Sequence, residues 1–272
     1  MLSEEKLREL RQRYNPDGSR LRCAQLRLSC MLSYIDDVCR RHGLRYWIDS
    51  GTLLGAVRHG GFIPWDDDAD VCMPRADLLR LRDILLREEA DGPYAVQCRA
   101  TDGGHWNAWV VLRDRRSFYW HCPPLASDHA KRFRGLQVDI FPVEEGVSQP
   151  LHRLAARLHR VLLVRPSLGH RGFGWLRRWS PWVWRLLSGV VYPAFRRLGR
   201  LSASGDLEKG YGIPFESRHR AADVFPLSTI AFEGLQLSCP ARPEAYLTAM
   251  YGRWEDLPSG SVLGHQVELI IN

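Results

Sequence analysis

The spacing of apolar residues predicts a chain that uses both helices and strands. From Arg20 to His42 they recur every three or four positions, which predicts a long amphipathic helix ending near Gly43. Further helices are predicted over 3–18, 51–58, 76–89 and 243–251, and strands over 46–48, 66–73, 94–99, 108–113, 135–143 and parts of 223–238. This pattern predicts an α/β (α+β) fold in which helices flank a mixed sheet.

The stretch 150–200 differs from the rest because it is rich in Arg, Leu and Trp and has no acidic residue from Leu151 to Ser204. We interpret it as a basic helical insertion. The predicted organisation is a catalytic core over 1–149, the insertion over 150–210, and the C-terminal part of the same catalytic domain over 211–272. Basic residues beside Trp and Leu are typical of a helix in a membrane interface. A helical subdomain that packs on the core and leaves Arg in water explains the composition equally well.

The net charge narrows the class of partner. The formal value of +7 favours an anionic partner, such as a nucleotide, a phosphorylated glycan, a lipid surface or a nucleic acid. The N-terminus is charged and no run of 18 apolar residues occurs, so neither a secretory signal nor a transmembrane helix is predicted. The 7 cysteines form no CxxC pair, which favours buried, reduced thiols and a cytoplasmic location.

The strongest chemical signal is the acidic run from Asp66 to Asp70. On a strand, Asp66, Asp68 and Asp70 would share one face, whereas Asp67 would point to the other. Three like charges on one face repel each other, and a divalent cation removes that cost. Hard oxygen ligands suit Mg²⁺ or Mn²⁺. The alternative is a solvated acidic turn or the start of a helix.

Two neighbouring segments strengthen the metal hypothesis. Gly51 and Thr52 follow a predicted strand and open a helix, where small residues and backbone N–H groups favour a phosphate. Asp139 is a lone carboxylate in an apolar strand, which is costly unless it is paired or bound to a metal. The alternatives are a simple strand-to-helix turn and a salt bridge to an arginine. A Gly-Thr turn, paired carboxylates and a third carboxylate on a later strand are the layout of nucleotidyltransferase-fold enzymes.

The same segments resemble a known family. The sequence YWIDSGTLLGAVRHGGFIPWDDDADV (46–71) is similar to the LicD family, which includes bacterial phosphocholine transferases and, more distantly, the fukutin-related protein. The resemblance continues in VDIFPV (138–143) and in the C-terminal block 223–258. It is weak over 1–20 and 150–210.

The resemblance implies a CDP-alcohol donor, with CDP-choline favoured over CDP-ribitol and CDP-glycerol. It also implies a glycan or lipid-linked glycan acceptor, release of CMP, and a magnesium or manganese ion. On the family's motif, Asp68 and Asp70 match the metal pair, Asp66 the preceding carboxylate, and Asp139 the carboxylate of the later strand. Gly51 and Thr52 match a phosphate-facing turn, and Arg58 matches the basic position after it.

These matches imply roles for individual residues. Asp139 would take the proton of the acceptor hydroxyl, and Asp66 lies close to the metals. Arg58 and His59 would stabilise charge on the phosphate, although Arg58 is equally explained as a surface charge. A choline head would suit an aromatic cage, for which Trp47, Trp65, Trp106, Trp109 and Trp120 are available; the same residues are equally good core residues.

Two other functions stay open at this point. A nucleotidyltransferase would add NMP to a small molecule or protein instead of releasing CMP. A basic nucleic-acid-binding module would also explain the charge, but no DNA- or RNA-binding motif is present, so no nucleic-acid partner is expected. If the acceptor is lipid-linked, the enzyme would act at the inner face of the membrane, held there through 150–200.

Overall fold

The computed structural model describes residues 2–89, 91–121, 129–168, 174–202, 205–258 and 267–271. The chain begins with two helices, α1 (Glu4–Tyr14) and α2 (Arg20–His42), as predicted. Side chains of Ser3 and Ser19 cap them, each accepting a hydrogen bond from a backbone N–H three residues later. Helix α2 ends where Gly43 takes a left-handed conformation, with a φ of 62°.

Within the described residues, seven strands form the main sheet. They are β1 (Trp47–Ile48), β2 (Ala69–Pro74), β3 (Tyr94–Gln97), β4 (Val110–Asp114), β6 (Gln137–Glu145), β7 (Asp206–Lys209) and β8 (His219–Arg220). The central order is β1-β2-β6-β4-β3, and β7 joins β6 to β8. Only the β2–β6 pair among these is parallel. The predicted mixed α/β fold is confirmed.

The remaining elements of the core surround this sheet. Strand β5 (Ser117–His121) pairs with β11 (Val267–Ile271), and β9 (Ser228–Phe232) pairs with β10 (Leu235–Cys239). The helices are α3 (Ser50–His59), α4 (Arg75–Glu88), α9 (Ala221–Val224) and α10 (Pro243–Tyr251). One apolar cluster joins α2, the sheet and α10, so residues from both ends of the sequence share a core. Burial of this common core stabilises the site-bearing strands.

The helical insertion, defined here as residues 149–202, has the predicted helical character. It contains α5 (Gln149–His159), a π-helical turn (Arg160–Val164), α6 (Arg165–Ser167), a 3₁₀ turn (Gly174–Arg178), α7 (Ser180–Leu186), a second π-helical turn (Leu187–Val191), α8 (Tyr192–Gly199) and a 3₁₀ turn (Arg200–Ser202). The stretch predicted as insertion also contains β7, which belongs to the main sheet. No described helix has the length and apolar character needed to cross a membrane.

The insertion divides its apolar residues between an interior and the surface. Ala155, Leu163, Leu187 and Tyr192 form a second buried cluster with Tyr211 of the core. Other large apolar side chains stay exposed, namely Trp175, Trp179, Trp182, Leu186, Val190, Leu198 and Leu201. Packing against the core therefore explains only part of the insertion's composition.

The cysteines depart from the sequence prediction in one respect. Those within the described residues are free thiols, and Cys23 and Cys30 are exposed, so the prediction that all are buried is wrong. Both lie on the outer face of α2, opposite buried residues such as Leu28 and Met31. Cys122 lies outside the described residues.

Candidate metal and phosphate site

Asp70 and Asp139 occupy paired positions on the parallel strands β2 and β6. Side chains at paired positions of neighbouring strands point to the same face of the sheet. The main chain of Asp70 is fixed on both sides, because its N–H donates to Thr52 Oγ1 at 2.8 Å and its carbonyl accepts from the Asp49 N–H at 3.0 Å. Thr52 is 2% exposed and its hydroxyl positions the strand that carries Asp70; that Gly51 and Thr52 face a donor phosphate stays a prediction.

The acidic run adopts a different conformation from the predicted strand. Strand β2 begins at Ala69, so Asp66 and Asp68 lie in the preceding loop, and the prediction that they alternate with Asp70 along one strand is wrong. Asp67 was expected to face away, but a carboxylate oxygen from each of Asp66, Asp67 and Asp68 lies within 4.8 Å of the others. The loop thus gathers three consecutive carboxylates, which an extended strand would have separated.

A buried glutamine explains why the chain forms a loop here. The side-chain amide of Gln25 on α2 donates to the carbonyl oxygens of Asp66 at 2.9 Å and Ile63 at 3.3 Å. Asn15 in turn donates to Gln25 Oε1 at 2.6 Å. These bonds tie the backbone at Ile63 and Asp66 to α2 and favour the loop conformation. The first two helices therefore hold the acidic loop in place.

Gly51 allows Asp66 to approach the first turn of α3. A Cβ atom at position 51 would lie 2.7 Å from Asp66 Oδ2, which is closer than a carbon and an oxygen can pack. The predicted Gly-Thr segment therefore does open a helix, but its close neighbours in the structure are the carboxylates of the site.

The electrostatics of the site favour a bound cation. Burial raises the pKa of Asp70 well above its usual value, and the neighbouring carboxylates of Asp68, Asp139 and Asp49 raise it further. Burial also raises the pKa of Asp139 to about 6; Arg113 opposes this rise and Asp68 adds to it. Asp139 Oδ1 is buried and accepts no hydrogen bond from a described residue. Clustered hard oxygens with an unsatisfied acceptor fit Mg²⁺ or Mn²⁺.

A buried ion pair that the sequence did not reveal lies beside these carboxylates. Lys209 Nζ on β7 is 2.9 Å from Asp49 Oδ2, and the two side chains are 3% and 0% exposed. Asp49 also accepts hydrogen bonds from Tyr246 at 2.6 Å and from Ser50 at 2.8 Å. Burial alone would raise the pKa of Asp49, but Lys209 and these hydroxyls hold it below the usual range. A lysine 160 positions from Asp49 gives no local pattern by which to predict the pair.

Arg58 and His59 are both buried at the end of α3. Arg58 Nη1 donates to the carbonyl oxygens of Trp254 at 2.8 Å and Asp256 at 2.9 Å. Burial lowers the pKa of His59 to about 3, so its imidazole is neutral at physiological pH. In this structure Arg58 ties the C-terminal segment to α3, and the prediction that these residues stabilise phosphate charge stays a prediction.

A cavity of about 260 Å³ lies next to Asp139 and is called the Asp139 cavity here. Trp106, Trp109 and Tyr119 form aromatic parts of its wall, and the basic side chains of Arg113, Lys131 and Arg134 also line it. Such a wall suits the phosphates and the base of a nucleotide.

The other tryptophans considered for an aromatic cage lie elsewhere. Trp47 is 1% exposed in the core and donates to the Tyr246 hydroxyl at 3.2 Å. Trp65 packs edge-on against Tyr14 at 5.2 Å between ring centres. The side chain of Trp120 lies outside the described residues.

Carboxylates on two adjacent strands, next to a Gly-Thr helix start, are the arrangement that the sequence predicted for a nucleotidyltransferase-fold domain. Residues 43–153 match the model of the family described as LicD/FKTN/FKRP, nucleotidyltransferase domain. Residues 43–153 are thus similar to the LicD family, and the resemblance seen in the sequence is confirmed. The matched region includes Asp66, Asp70 and Asp139, which carry the geometry described above.

Two curated relatives show how far the similarity extends. The chain is 46% identical over 68 residues to the lipopolysaccharide cholinephosphotransferase LicD of Haemophilus influenzae, covering 25% of this chain and 26% of that protein. It is 53% identical over 119 residues to the human ribitol 5-phosphate transferase FKRP, covering 44% of this chain and 18% of that protein. The matches therefore span about a quarter or less of these relatives' own length.

Proposed function

We propose that this protein transfers a phospho-alcohol from a CDP-alcohol to a glycan hydroxyl and releases CMP. The observation that carries the proposal is the pairing of Asp70 with Asp139 beside the acidic loop, next to a cavity with basic and aromatic walls. The two relatives, a cholinephosphotransferase and a ribitol 5-phosphate transferase, support the same reaction class.

The metal assignment uses the carboxylates of this chain. Asp66, Asp68, Asp70 and Asp139 would hold Mg²⁺ or Mn²⁺, and Asp67 is added because its carboxylate lies within 4.8 Å of those of Asp66 and Asp68. When bound, such an ion neutralises the diphosphate of the donor and the charge of the departing CMP. Lys209 keeps Asp49 ionised in a buried ion pair. Asp49 therefore stabilises the site without being one of the proposed metal ligands.

The chemical step is a displacement at phosphorus. An oxygen of the acceptor hydroxyl forms a bond to the phosphorus that carries the alcohol, and the bond from this phosphorus to the oxygen bridging to CMP breaks. We assign Asp139 as the general base that accepts the hydroxyl proton, because it lines the cavity and its Oδ1 accepts no hydrogen bond from a described residue. Lys131 lies close enough to Asp139 to lower its pKa, and we propose that it contacts a donor phosphate oxygen; Arg113 is buried and donates to Gln97 and to the Gly135 carbonyl.

We favour phosphocholine as the transferred group, with ribitol phosphate and glycerol phosphate as alternatives. Trp106, Trp109 and Tyr119 in the wall of the Asp139 cavity supply the aromatic faces that a quaternary ammonium prefers. A polyol would depend instead on polar groups of the same wall, such as Asn107 and Gln137.

The test is to incubate the purified chain with CDP-choline, CDP-ribitol or CDP-glycerol and Mg²⁺, and to measure CMP release and donor binding. We expect metal-dependent binding of the cytidine donors, stronger than binding of uridine- or guanosine-linked sugars. Full turnover in excess chelator, or equal binding of all three nucleotides, would contradict the proposal. Pyrophosphate release with incorporation of NMP would favour the nucleotidyltransferase alternative.

We further propose that the insertion rests on an anionic membrane surface, on the cytoplasmic side where a lipid-linked acceptor would be presented. Trp175, Trp179 and Trp182 are 69%, 54% and 63% exposed. Arginines accompany them at 177, 178, 185, 197 and 200, and the segment has no acidic residue to repel anionic lipids. Each basic residue near such a surface contributes on the order of 1 kcal/mol.

Vesicle sedimentation tests this surface. The wild-type chain is expected to bind vesicles with phosphatidylserine and not vesicles of phosphatidylcholine alone. A Trp175→Ser, Trp179→Ser, Trp182→Ser variant should lose binding while keeping its melting temperature, because these side chains are already exposed. Absence of binding at low salt, or binding that survives the triple substitution, would favour a helical subdomain that faces water.

A further inference from the structure

A second and larger cavity lies between the catalytic core and the helical insertion. Its volume is about 720 Å³, and we call it the arginine cavity. Helix α4 and the segment 98–110 supply one wall, and residues 181–196 of the insertion supply the other. The cavity exists because the insertion packs through its own cluster around Leu187 and Tyr192 and leaves space above α4.

Five arginines line this cavity, and none of its described lining residues is acidic. Three of them have carboxylate neighbours outside the lining. Arg196 pairs with Glu144 at 2.5 Å, Arg75 approaches the same carboxylate at 3.9 Å, and Arg82 pairs with Asp83 at 2.7 Å. Because Glu144 is shared between two arginines, these pairs leave the wall with net positive charge.

Arg99 and Arg185 face the cavity without an ion-pair partner among the described residues. Each guanidinium instead lies over an indole, Arg99 over Trp106 at 4.0 Å and Arg185 over Trp182 at 5.1 Å. Burial lowers the pKa of Arg99; Asp102 opposes this, and the proximity of Arg185 lowers it further. Two like charges held towards the same space are stabilised when an anion binds between them.

The arginine cavity adjoins the Asp139 cavity. Asn107 and Trp109 line both cavities and therefore separate them. A ligand in the arginine cavity would be divided from Asp139, the proposed general base, only by these side chains. Trp109 and Trp184 add aromatic faces of the kind on which sugar rings pack. The volume exceeds the space needed for a single ion and falls in the range of small-ligand sites.

We propose that the arginine cavity binds an anionic group of the acceptor, a phosphorylated saccharide, and that Arg99 and Arg185 contact its phosphate. The identification of the bound saccharide as the acceptor rests on the proposed function. Binding of its phosphate depends only on the arginine cavity. An uncharged sugar would leave the Arg99 and Arg185 charges uncompensated, which is why the proposal specifies a phosphorylated one.

Ligand-observed NMR with glucose 6-phosphate and with glucose, in the absence of divalent metal, tests the proposal. The wild-type chain should bind glucose 6-phosphate in preference to glucose. An Arg99→Gln, Arg185→Gln variant should bind the phosphorylated sugar about tenfold more weakly, as expected for loss of a charge-assisted contact. Arg197→Gln removes one charge from an exposed position of the same insertion and should leave binding unchanged.

A second pair of variants separates this cavity from the donor site. Lys131→Gln with Arg134→Gln alters the Asp139 cavity and should weaken CDP-choline binding while sparing glucose 6-phosphate. If the Arg99, Arg185 variant keeps its affinity for glucose 6-phosphate, or if Arg197→Gln lowers it equally, the proposal is wrong. If no CDP-alcohol is turned over but the phosphorylated sugar still depends on Arg99 and Arg185, the proposed function fails and the anion site stands.

Discussion

The catalytic core buries several charged side chains, whereas most of the described arginines in the helical insertion are exposed. In the core, Asp49 and Lys209 are almost completely buried, and each has a specific partner at hydrogen-bond distance. In the insertion, residues such as Arg177 and Arg197 lie at the surface. Removing a charge from water is costly unless a partner replaces the lost solvation. The buried charges of the core are therefore held by specific partners, whereas the exposed arginines of the insertion can contact solvent or an external surface.

This contrast predicts that substitutions in the core have large and specific effects. The same chemical change made in the insertion provides a matched control, because both variants derive from one chain and are measured by the same assay. The following predictions run from the largest expected effect to the smallest.

Replacing Asp70 or Asp139 with Asn should lower turnover about a thousandfold or more, because metal-assisted charge stabilisation amounts to several kcal/mol of barrier. The fold should persist, and without metal the melting temperature should rise slightly, because a repelling carboxylate is removed. CMP release and thermal melting with and without chelator measure both effects. Wild-type turnover in either variant would remove these residues from the mechanism; Arg178→Gln is the insertion control.

Replacing Lys209 with Met should destabilise the fold by about 3 kcal/mol, because Asp49 keeps its charge in a buried position after its partner is lost. Chemical denaturation measures the change. Arg197→Met removes a cation of the exposed surface and should stay within about 0.5 kcal/mol of wild type. If both substitutions lowered the free energy of unfolding equally, the burial of a charge would not determine its contribution to stability.

Replacing Arg58 with Gln should cost about 1–3 kcal/mol of stability, because two backbone carbonyls near Trp254 lose their donor. Arg157→Gln, at an exposed position of the insertion, is the control and should be neutral. The donor KM adds a second readout. An unchanged stability with a raised KM would show that Arg58 acts on the substrate, as the family resemblance implies.

Replacing Gly51 with Ala should lower turnover about tenfold with little loss of stability, because the new methyl group displaces the Asp66 carboxylate. Gly174 in the insertion is the matched control, since a methyl group there meets nothing within 4 Å. Gly174→Ala is expected to be neutral or slightly stabilising in a helical segment. If Gly51→Ala turns over at the wild-type rate, close packing at this position is not needed for the site.

The acidic site shows which structural features a local sequence pattern predicts and which it does not. The pattern identified Asp66, Asp68, Asp70 and Asp139 as a group, and the structure places Asp70 beside Asp139 in the sheet. The pattern predicted the wrong conformation for Asp66 and Asp68. The side chain that holds their loop belongs to Gln25, which lies in helix α2. A contact across 41 residues leaves no trace in the periodicity of either segment.

The insertion shows a different limit. Its helical character follows from the local spacing of apolar residues, and its basic composition is read directly from the sequence. Which of its apolar residues pack and which stay exposed depends on the surface of the core that they meet. For this reason both the membrane interpretation and the packing interpretation were compatible with the sequence, and the structure contains elements of each.

The sequence by itself determined most of the helices and strands and pointed to Asp66, Asp68, Asp70 and Asp139 as a group, because periodicity, turn residues and short motifs act over neighbouring positions. Only the tertiary structure decided the pairing of Lys209 with Asp49, the tie between Arg58 and the C-terminal segment, and the cavity that Arg99 and Arg185 share. Each of these joins residues far apart in the chain. Their energies depend on burial and distance, which exist only after the core has packed.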